Sequence, residues 1–344
     1  MKAQLLRAWG GPLVYGDHRD PAPGPGEVLV AVRACGVGLT VVNYMSGRLG
    51  RPADGLPRVP GHEWTGVVVD VGPGVTGART GDRVMGYFYL TCGRCDWCRS
   101  TREPLCRNHA GYVGVHRDGG YAELVALPEA NVLPLPDGVG FVEGTVIPDA
   151  VATPYHVCGA RAQVRPGDRV LVIGAGGGVG SHMVQMARLF GGRVVAVDAG
   201  DAKLEHCRRL GAETALDINA PGAHDRARAA LDGEATVAID LVGSGETLAW
   251  AFGLLGPGGR MVMLTTFEGA GLDVVSRQMV MGELTLLGSR YCSRAEVLAA
   301  ARLVREGRMT PVVSETRPLA GVGALHEMLR AGTLLGRGAI VIEA

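Results

Sequence analysis

Short hydrophobic runs separated by turn residues make up the first part of the chain. Examples are 28–32 and 65–71, which are rich in valine and are bounded by proline and glycine turns at 23–26 and 72–74. Runs of this length and composition are typical of β-strands. Residues 1 to about 150 are therefore predicted to be all-β.

From about residue 151, apolar runs alternate with amphipathic segments. The run 169–173 has the composition of a buried strand, and the segment after the glycines that follow it has apolar residues at helical spacing. Strands that alternate with helices predict a parallel, doubly wound sheet. Later strands are predicted at 194–197, 237–241, 260–264, 284–288 and 338–343, and helices at 201–211, 246–255, 294–306 and 321–331.

Composition and charge narrow the class of protein. The 344 residues are 47% hydrophobic, which excludes a disordered chain. Lys+Arg and Asp+Glu both number 34, so the basic excess of a nucleic-acid or anionic-membrane protein is missing, and we expect neither partner. The first residues lack the long apolar stretch of a signal peptide, and the longest charge-free stretch, 170–187, is interrupted by glycines. We expect a cytoplasmic protein.

A glycine-rich turn stands between a predicted strand and a predicted helix. It comprises Gly174, Gly176, Gly177, Gly178, Val179 and Gly180, with Ala175 among them. Such glycines let the backbone approach a pyrophosphate, whose charge then lies at a helix N-terminus. Asp198 ends the next strand, where a carboxylate accepts hydrogen bonds from both ribose hydroxyls and repels a 2′-phosphate. The motif predicts a site that prefers NAD(H) to NADP(H). The alternatives are a turn without a ligand and, for Asp198, a helix N-cap or turn residue.

Four of the eight cysteines form the pattern C-x2-C-x2-C-x7-C. They are Cys92, Cys95, Cys98 and Cys106. Four thiolates complete a tetrahedral zinc site and leave no open position, so a structural zinc is predicted. The alternative is four free or disulfide-bonded cysteines. The isolated cysteines are predicted to be small packing residues; they are Cys35, Cys158, Cys207 and Cys292.

With these two motifs in this order, the chain resembles the zinc-containing alcohol dehydrogenases of the medium-chain dehydrogenase/reductase superfamily over essentially its whole length. Further matching segments are 25–30, 60–63, 118–123, 254–259 and 332–337. The resemblance implies an α/β fold with a GroES-like β-barrel catalytic domain and an inserted Rossmann-fold domain. The implied bounds are 1–150 and 288–344 for the catalytic domain, which carries the cysteine lobe 92–106, and 151–287 for the Rossmann domain.

The resemblance also implies roles for two basic residues. Lys203 is similar to a lysine that helps to hold the adenosine ribose, and Arg337 to an arginine that contacts the pyrophosphate. For Arg337 the alternative is a solvated surface side chain. A small-molecule substrate and a homo-oligomer, either a dimer or a tetramer, are implied as well.

The catalytic centre departs from the family's pattern. The family holds a catalytic zinc with a Cys, a His and a second Cys, and has a Glu after the His. His62 and Glu63 match, but the first Cys position is Gly38 and the second is Asp149. A second zinc held by His62 and Asp149, with Glu63 close by, is one interpretation, in which Gly38→Cys would tighten metal binding. In the other interpretation there is no metal, and His62 and Asp149 form an ion pair or a hydrogen-bonded pair.

Two further residues match the family's proton path. Thr40 matches the hydroxyl that passes the substrate proton, and Asn43 stands where a relay histidine often stands. Since an amide does not take up a proton near neutral pH, a relay through Asn43 must end differently.

Three functions follow from these observations. The first is an NAD(H)-dependent, alcohol dehydrogenase-like oxidoreductase that transfers hydride between nicotinamide and an alcohol or carbonyl substrate. The second is a zinc-independent reductase of activated, conjugated C=C bonds. The third is a non-catalytic dinucleotide-binding protein, which the joint retention of the polar site residues argues against. Bulky residues that either line the substrate pocket or pack in the core are Tyr44, Trp64, Phe88, Tyr89 and Tyr112.

Overall fold

The computed structural model describes residues 1–48, 51–52, 55–265 and 269–343. The chain divides into two compact units, which are considered separately. The first unit contains Met1–Asp149, Cys292–Gly307 and Pro311–Ala344, and the second contains Ala150–Tyr291 and Arg308–Thr310.

Both units contain strands and helices. The strands are β1 Lys2–Leu6, β2 Leu13–Asp17, β3 Glu27–Val37, β4 Trp64–Val71, β5 Arg83–Gly86, β6 Tyr89–Leu90, β7 Gly111–Tyr112, β8 Leu124–Pro128, β9 Val132–Pro134, β10 Arg169–Ile173, β11 Arg193–Asp198, β12 Thr214–Asp217, β13 Ala235–Asp240, β14 Leu255–Met263, β15 Thr285–Gly288, β16 Val313–Pro318 and β17 Arg337–Val341. The helices are α1 Leu39–Met45, α2 Asp96–Arg99, α3 Phe141–Gly144, α4 Ala152–His156, α5 Gly178–Leu189, α6 Asp201–Arg209, α7 Ala223–Ala230, α8 Gly245–Phe252, α9 Ser276–Gly282, α10 Arg294–Arg305 and α11 Val322–Arg330. Short 3₁₀ turns cover Glu103–Leu105, Glu129–Asn131 and Leu319–Gly321, and π-helical turns cover Ile147–Val151 and Val157–Arg161.

The first unit is built on a sheet with β3 at its centre. Its order within the described residues is β16-β17-β3-β4-β5-β9, and β8 also pairs with β3. Side chains of β3 alternate between buried and half-buried along most of its length, as expected for a strand with one face on the core. The last strand, β17, runs antiparallel to β3, so the end of the chain returns to the unit formed by its beginning.

The second unit is a parallel sheet covered by helices. The sheet has the order β12-β11-β10-β13-β14-β15, and the pairs along it are all parallel in the part of the chain described. This is the strand order of a Rossmann fold, in which the order reverses beside the first strand, here β10. The predicted doubly wound parallel sheet is confirmed.

Apolar side chains of the central strands contribute to the core of the second unit. Leu171, Ile173, Ala238 and Met261 are almost completely buried between the sheet and its helices. Every helix among the described residues is too short or too polar to cross a lipid bilayer.

Candidate active site

Two glycines at the end of β3 open a space on one face of the strand. Gly36 and Gly38 are two residues apart, so they lie on the same side of the extended chain. The backbone of Gly38 is extended, with φ −121° and ψ 164°, a conformation that any residue can adopt. Glycine is therefore needed at position 38 for space and not for backbone geometry.

Glu63 reaches this space from the neighbouring strand. It directly precedes β4, and the Gly36 N–H donates a 2.8 Å hydrogen bond to the Glu63 carbonyl oxygen. A Cβ atom at Gly36 would lie 2.9 Å from Glu63 Oε2, so a larger residue at position 36 would collide with this carboxylate. The preceding Gly61 has φ +95°, which explains why glycine precedes the His-Glu pair.

Arg337 reaches the same space from the other side. In the antiparallel pairing of β17 with β3, Gly338 lies opposite Val37, which brings Arg337 next to Gly38. A Cβ atom at Gly38 would lie 2.8 Å from Arg337 Cζ and closer still to its Nη1 atom. The guanidinium thus fills the space that a side chain at position 38 would need.

Four charged or titratable side chains meet in this space. Arg337 Nη2 lies 3.0 Å from Glu63 Oε1 and 3.6 Å from Asp149 Oδ2. Asp149 Oδ2 in turn lies 3.5 Å from His62 Nε2. The exposed fractions of these side chains are 6% for Arg337, 0% for Glu63, 14% for Asp149 and 3% for His62. We call these four residues the polar cluster.

Burial and the neighbouring positive charge shift the pKa of Glu63 in opposite directions. Complete burial raises the pKa of its carboxyl group, whereas the Arg337 guanidinium works to lower that pKa. One carboxylate oxygen is paired with Arg337, while Oε2 has no hydrogen-bond partner among the described residues. A buried carboxylate of this kind depends on the Arg337 cation, since an unpaired buried charge is strongly unfavourable.

The three predicted metal ligands do come together. One atom each from His62, Glu63 and Asp149 lies within 4.8 Å of the others, a spacing that could hold a metal ion. The sequence prediction did not place Arg337 among them, and it is nearly fully buried rather than a solvated surface side chain. That Gly38→Cys tightens metal binding stays a prediction; in this structure a side chain at position 38 requires the Arg337 guanidinium to move.

Aromatic rings cover one side of the polar cluster. The His62 ring lies 4.2 Å from the Phe88 ring, measured between centroids, and Phe88 stacks on Tyr112 at 5.0 Å. Tyr89 meets Tyr112 edge to face at 4.8 Å. These three rings pack together beside the imidazole, and Tyr89 is only 6% exposed. That they line a pocket for a partly apolar substrate stays a prediction.

The other two aromatic candidates belong to the core. Trp64 is fully buried, and Tyr44 is 1% exposed, with its hydroxyl donating a 2.8 Å hydrogen bond to the Val115 carbonyl oxygen. Their suggested place in the pocket is therefore wrong. Thr40 and Asn43 both lie in α1, whose N-cap is Gly38, so the helix begins directly beside the polar cluster.

The four predicted zinc cysteines form a compact group of sulfur atoms. The Sγ–Sγ distances are 3.5 Å for Cys95–Cys98 and for Cys92–Cys106, 3.8 Å for Cys95–Cys106, and 4.0 Å for Cys92–Cys98. Ligands of a tetrahedral zinc with Zn–S bonds of about 2.3 Å are about 3.8 Å apart. The group therefore fits a zinc ion held by four cysteines, and the chain carries no disulfide among its described cysteines.

Local hydrogen bonds prepare part of this group for a cation. Backbone N–H groups of Arg94 and Cys95 lower the pKa of the Cys92 thiol to about 6. Burial instead raises the pKa of the Cys98 thiol to about 12. Because Cys98 does not ionise on its own near neutral pH, the complete tetrathiolate requires the charge of a metal ion.

The glycine-rich turn has the geometry of a dinucleotide site. Gly174 follows β10 with φ +79°, and α5 begins at Gly178 with Gly177 as its N-cap. A Cβ atom at Gly180 would lie 2.7 Å from the backbone of Ala175, so only glycine allows the helix to pack this closely on the turn. The backbone N–H groups at the start of the helix are thus left accessible to an anion.

Asp198 closes this turn from the end of β11. Its Oδ2 accepts the Gly176 N–H at 2.8 Å, and its Oδ1 accepts the Ala199 N–H at 2.8 Å and lies 3.2 Å from Lys203 Nζ. The N-cap of α6 is Gly200, so the alternative that Asp198 caps this helix is wrong. Each carboxylate oxygen has two acceptor sites, and three of the four are used, so one site on Oδ2 remains for a ribose hydroxyl.

Two family models match the chain, one mainly in the first unit and one mainly in the second. Residues 24–137 match the model of the alcohol dehydrogenase GroES-like domain, and residues 178–306 match that of the zinc-binding dehydrogenases. An alcohol dehydrogenase of Geobacillus stearothermophilus is 33% identical, with 100% of both chains covered. An acryloyl-coenzyme A reductase of Metallosphaera sedula is 29% identical over 98% of each chain.

A solved structure shows the same similarity in three dimensions. The crystal structure of an NAD-dependent alcohol dehydrogenase superposes with a TM-score of 0.92 at 33% identity, with 100% of both chains covered. The predicted GroES-like and Rossmann fold is therefore confirmed, as is the prediction of an oxidoreductase. The chain belongs to the zinc-binding alcohol dehydrogenase family of the medium-chain dehydrogenases and reductases.

Proposed function

We propose that this protein is an NAD(H)-dependent oxidoreductase that interconverts a small alcohol and its carbonyl compound and prefers NAD(H) to NADP(H). The polar cluster carries the proposal for the chemistry, because it holds a proton-transferring imidazole in a fixed, buried position. The Asp198 carboxylate at the glycine-rich turn supports the cofactor preference.

The residues that would hold the cofactor lie in the second unit. The N–H groups at the start of α5 suit the pyrophosphate, and Asp198 suits the adenosine ribose, with Lys203 beside it. When bound, the nicotinamide supplies or accepts the hydride. A 2′-phosphate would be repelled by Asp198, although Lys203 offsets part of this repulsion.

The chain's own residues would manage the proton. Carbonyl reduction needs a proton on the substrate oxygen, and alcohol oxidation needs its removal. An imidazole can do both, and the Asp149 carboxylate, 3.5 Å away, orients the His62 ring and can share its proton. Thr40, at the start of α1, is the hydroxyl we propose to pass the proton, and the relay does not continue through the Asn43 amide.

Zinc is proposed at the four cysteines, in a structural role. A site with four protein ligands has no position open to substrate, so the metal would order the lobe and not take part in the reaction. A homo-oligomer, either a dimer or a tetramer, is proposed from the family resemblance, and light scattering would determine its size.

Reduction of a conjugated C=C bond is the second candidate. It is favoured by the similarity to the acryloyl-coenzyme A reductase. Negative charge that develops in that reaction is spread over the conjugated system, so hydrogen-bond donors can stabilise it without a metal. The same His62 and Asp149 side chains would then supply the proton to carbon or oxygen.

A substrate panel tests the proposed function. Purified protein is assayed with NADH and NADPH against primary and secondary alcohols, the matching aldehydes and ketones, and conjugated enoyl compounds. We expect carbonyl reduction with NADH, and a reduction in turnover of about 100-fold or more in His62→Gln, since general acid–base catalysis contributes this much. Activity confined to NADPH, or unchanged turnover in His62→Gln, would contradict the proposal.

A further inference from the structure

We propose that the Arg337 guanidinium is the resident cation of the polar cluster and takes the space that a metal ligand at position 38 would need, so that the chain binds zinc at the four cysteines alone. The residues that could hold a second zinc do come together, but they do so around a cation that the chain itself supplies. Their spacing alone could hold a metal ion, but with the Arg337 guanidinium beside both carboxylates they do not fit a second one.

The space for the guanidinium is built into the strand. Two glycines on the same face of β3, Gly36 and Gly38, leave room for the Glu63 carboxylate and for the Arg337 guanidinium. The backbone at Gly38 is extended and places no demand on the residue type. The absence of a side chain at position 38 is therefore explained by the arginine beside it.

The guanidinium is hydrogen-bonded to one and ion-paired with the other of the two carboxylates that a metal would use. Nη2 lies 3.0 Å from Glu63 and 3.6 Å from Asp149, the two acidic members of the cluster. A metal ion bound to these oxygens would lie within a few ångströms of a buried positive charge. Like charges this close, with little solvent between them, repel each other strongly.

The Arg337 guanidinium already supplies a positive charge to the two carboxylates of the cluster. A divalent ion would add two further positive charges in a site whose side chains are at most 14% exposed. Burial penalises such an excess of positive charge, so the guanidinium disfavours a divalent ion beside it.

This inference deepens the proposed function and rests on it for its catalytic consequence. If the protein transfers hydride, it does so with the charge of Arg337 and the imidazole of His62 in place of a metal. Arg337 is here a positioning residue, because it holds Glu63 and Asp149 and through them the imidazole.

Zinc analysis of the purified protein tests the inference without any assay of activity. The protein is incubated with excess ZnCl₂ and dialysed, and its zinc content per chain is then measured by elemental mass spectrometry. We expect about one zinc per chain in the parent, the number that the four cysteines hold. His62→Gln should carry the same amount, because His62 holds no metal.

Replacement of the arginine should create a second site. Arg337→Gln removes the cation and leaves two carboxylates and an imidazole without it, so zinc content should rise toward about two per chain. Arg337→Lys keeps a positive charge and should stay near the parent value. Arg260→Gln is the matched control, because it removes another arginine from a buried 2.7 Å pair, with Asp168, and should leave the zinc content unchanged.

The outcomes separate this inference from the proposed function. About two zincs in the parent, falling to about one in His62→Gln, would overturn the inference even if hydride transfer is normal. A folded Arg337→Gln variant that gains no zinc would also overturn it. One zinc in the parent with no hydride transfer on any substrate would contradict the proposed function and leave the assignment of Arg337 supported. The parent and His62→Gln data decide the question if Arg337→Gln does not fold.

Discussion

Replacement of Asp198 by asparagine tests the proposed preference for NAD(H). The Asp198 side chain is 9% exposed, so the effective dielectric constant around it is nearer to 20 than to 80. A 2′-phosphate on the bound ribose would bring negative charge to about 5 Å, which costs roughly 1–3 kcal/mol per charge between those two dielectric constants. The Gly176 N–H donates a 2.8 Å hydrogen bond to Asp198 in the parent, and an asparagine oxygen can accept the same bond without carrying a charge. NADPH affinity should therefore rise about 10- to 100-fold.

The same variant should bind NADH less tightly. The ribose loses a charge-assisted hydrogen bond, which weakens NADH binding by about 1–2 kcal/mol, or roughly 5- to 30-fold. Nicotinamide fluorescence titration gives Kd for both cofactors. Asp217→Asn is the matched control, because Asp217 lies opposite Asp198 on the neighbouring strand, and its ratio of the two Kd values should stay close to that of the parent. The reasoning is refuted if the parent binds NADPH as tightly as NADH, or if Asp198→Asn leaves the ratio of the two Kd values unchanged.

Three further predictions concern stability. Cys95→Ser should lose the zinc and have a lower melting temperature, by roughly 2–4 °C for each kcal/mol of stability lost. Cys207→Ser is the control, in which the zinc at the four cysteines should be retained. Retention of metal by Cys95→Ser would contradict the assignment. Gly38→Ala should destabilise by about 1–3 kcal/mol in urea unfolding, because its Cβ collides with the neighbouring guanidinium, whereas Gly16→Ala, with open space around it, should be nearly neutral; equal effects would contradict the packing argument. Burial lowers the pKa of His326 from 6.5 to about 4. The neutral imidazole therefore contributes fully to the free energy of unfolding above pH 6.5, and this contribution is lost as the pH falls toward 4, by about 2 kcal/mol at pH 5. His326→Gln should remove this part of the pH dependence, and an unchanged acid slope would contradict it.

Local patterns were sufficient to predict the elements of the second unit. The predicted helix 201–211 is α6 Asp201–Arg209, and the predicted strand 194–197 lies within β11. In such a parallel sheet both faces are covered by helices, so buried strands appear as continuous apolar runs that are easily recognised. The four cysteines proposed to bind zinc could be predicted from the sequence as well, because their spacing is short and local.

The polar cluster was only partly predictable, because its members are distant in sequence. The contact between Glu63 and Arg337 spans 274 residues and depends on the register of β17 against β3, which no local pattern encodes. The available signal was the pair of glycines at 36 and 38, two apart on one strand face. Trp64 was suggested for the pocket because aromatic residues in the core and in a binding site have the same composition, and only burial distinguishes them.

The carbon atom that receives the hydride tests the central claim most directly. An α,β-unsaturated aldehyde offers a carbonyl group and a conjugated C=C bond in one molecule. With NADH that carries two deuterium atoms at C4 of the nicotinamide, mass spectrometry and NMR locate the transferred deuterium in the product. We predict deuterium on the carbon that bears the new hydroxyl group. Deuterium on the β-carbon, with the aldehyde intact, would contradict the proposed alcohol–carbonyl chemistry and identify the protein as a C=C reductase.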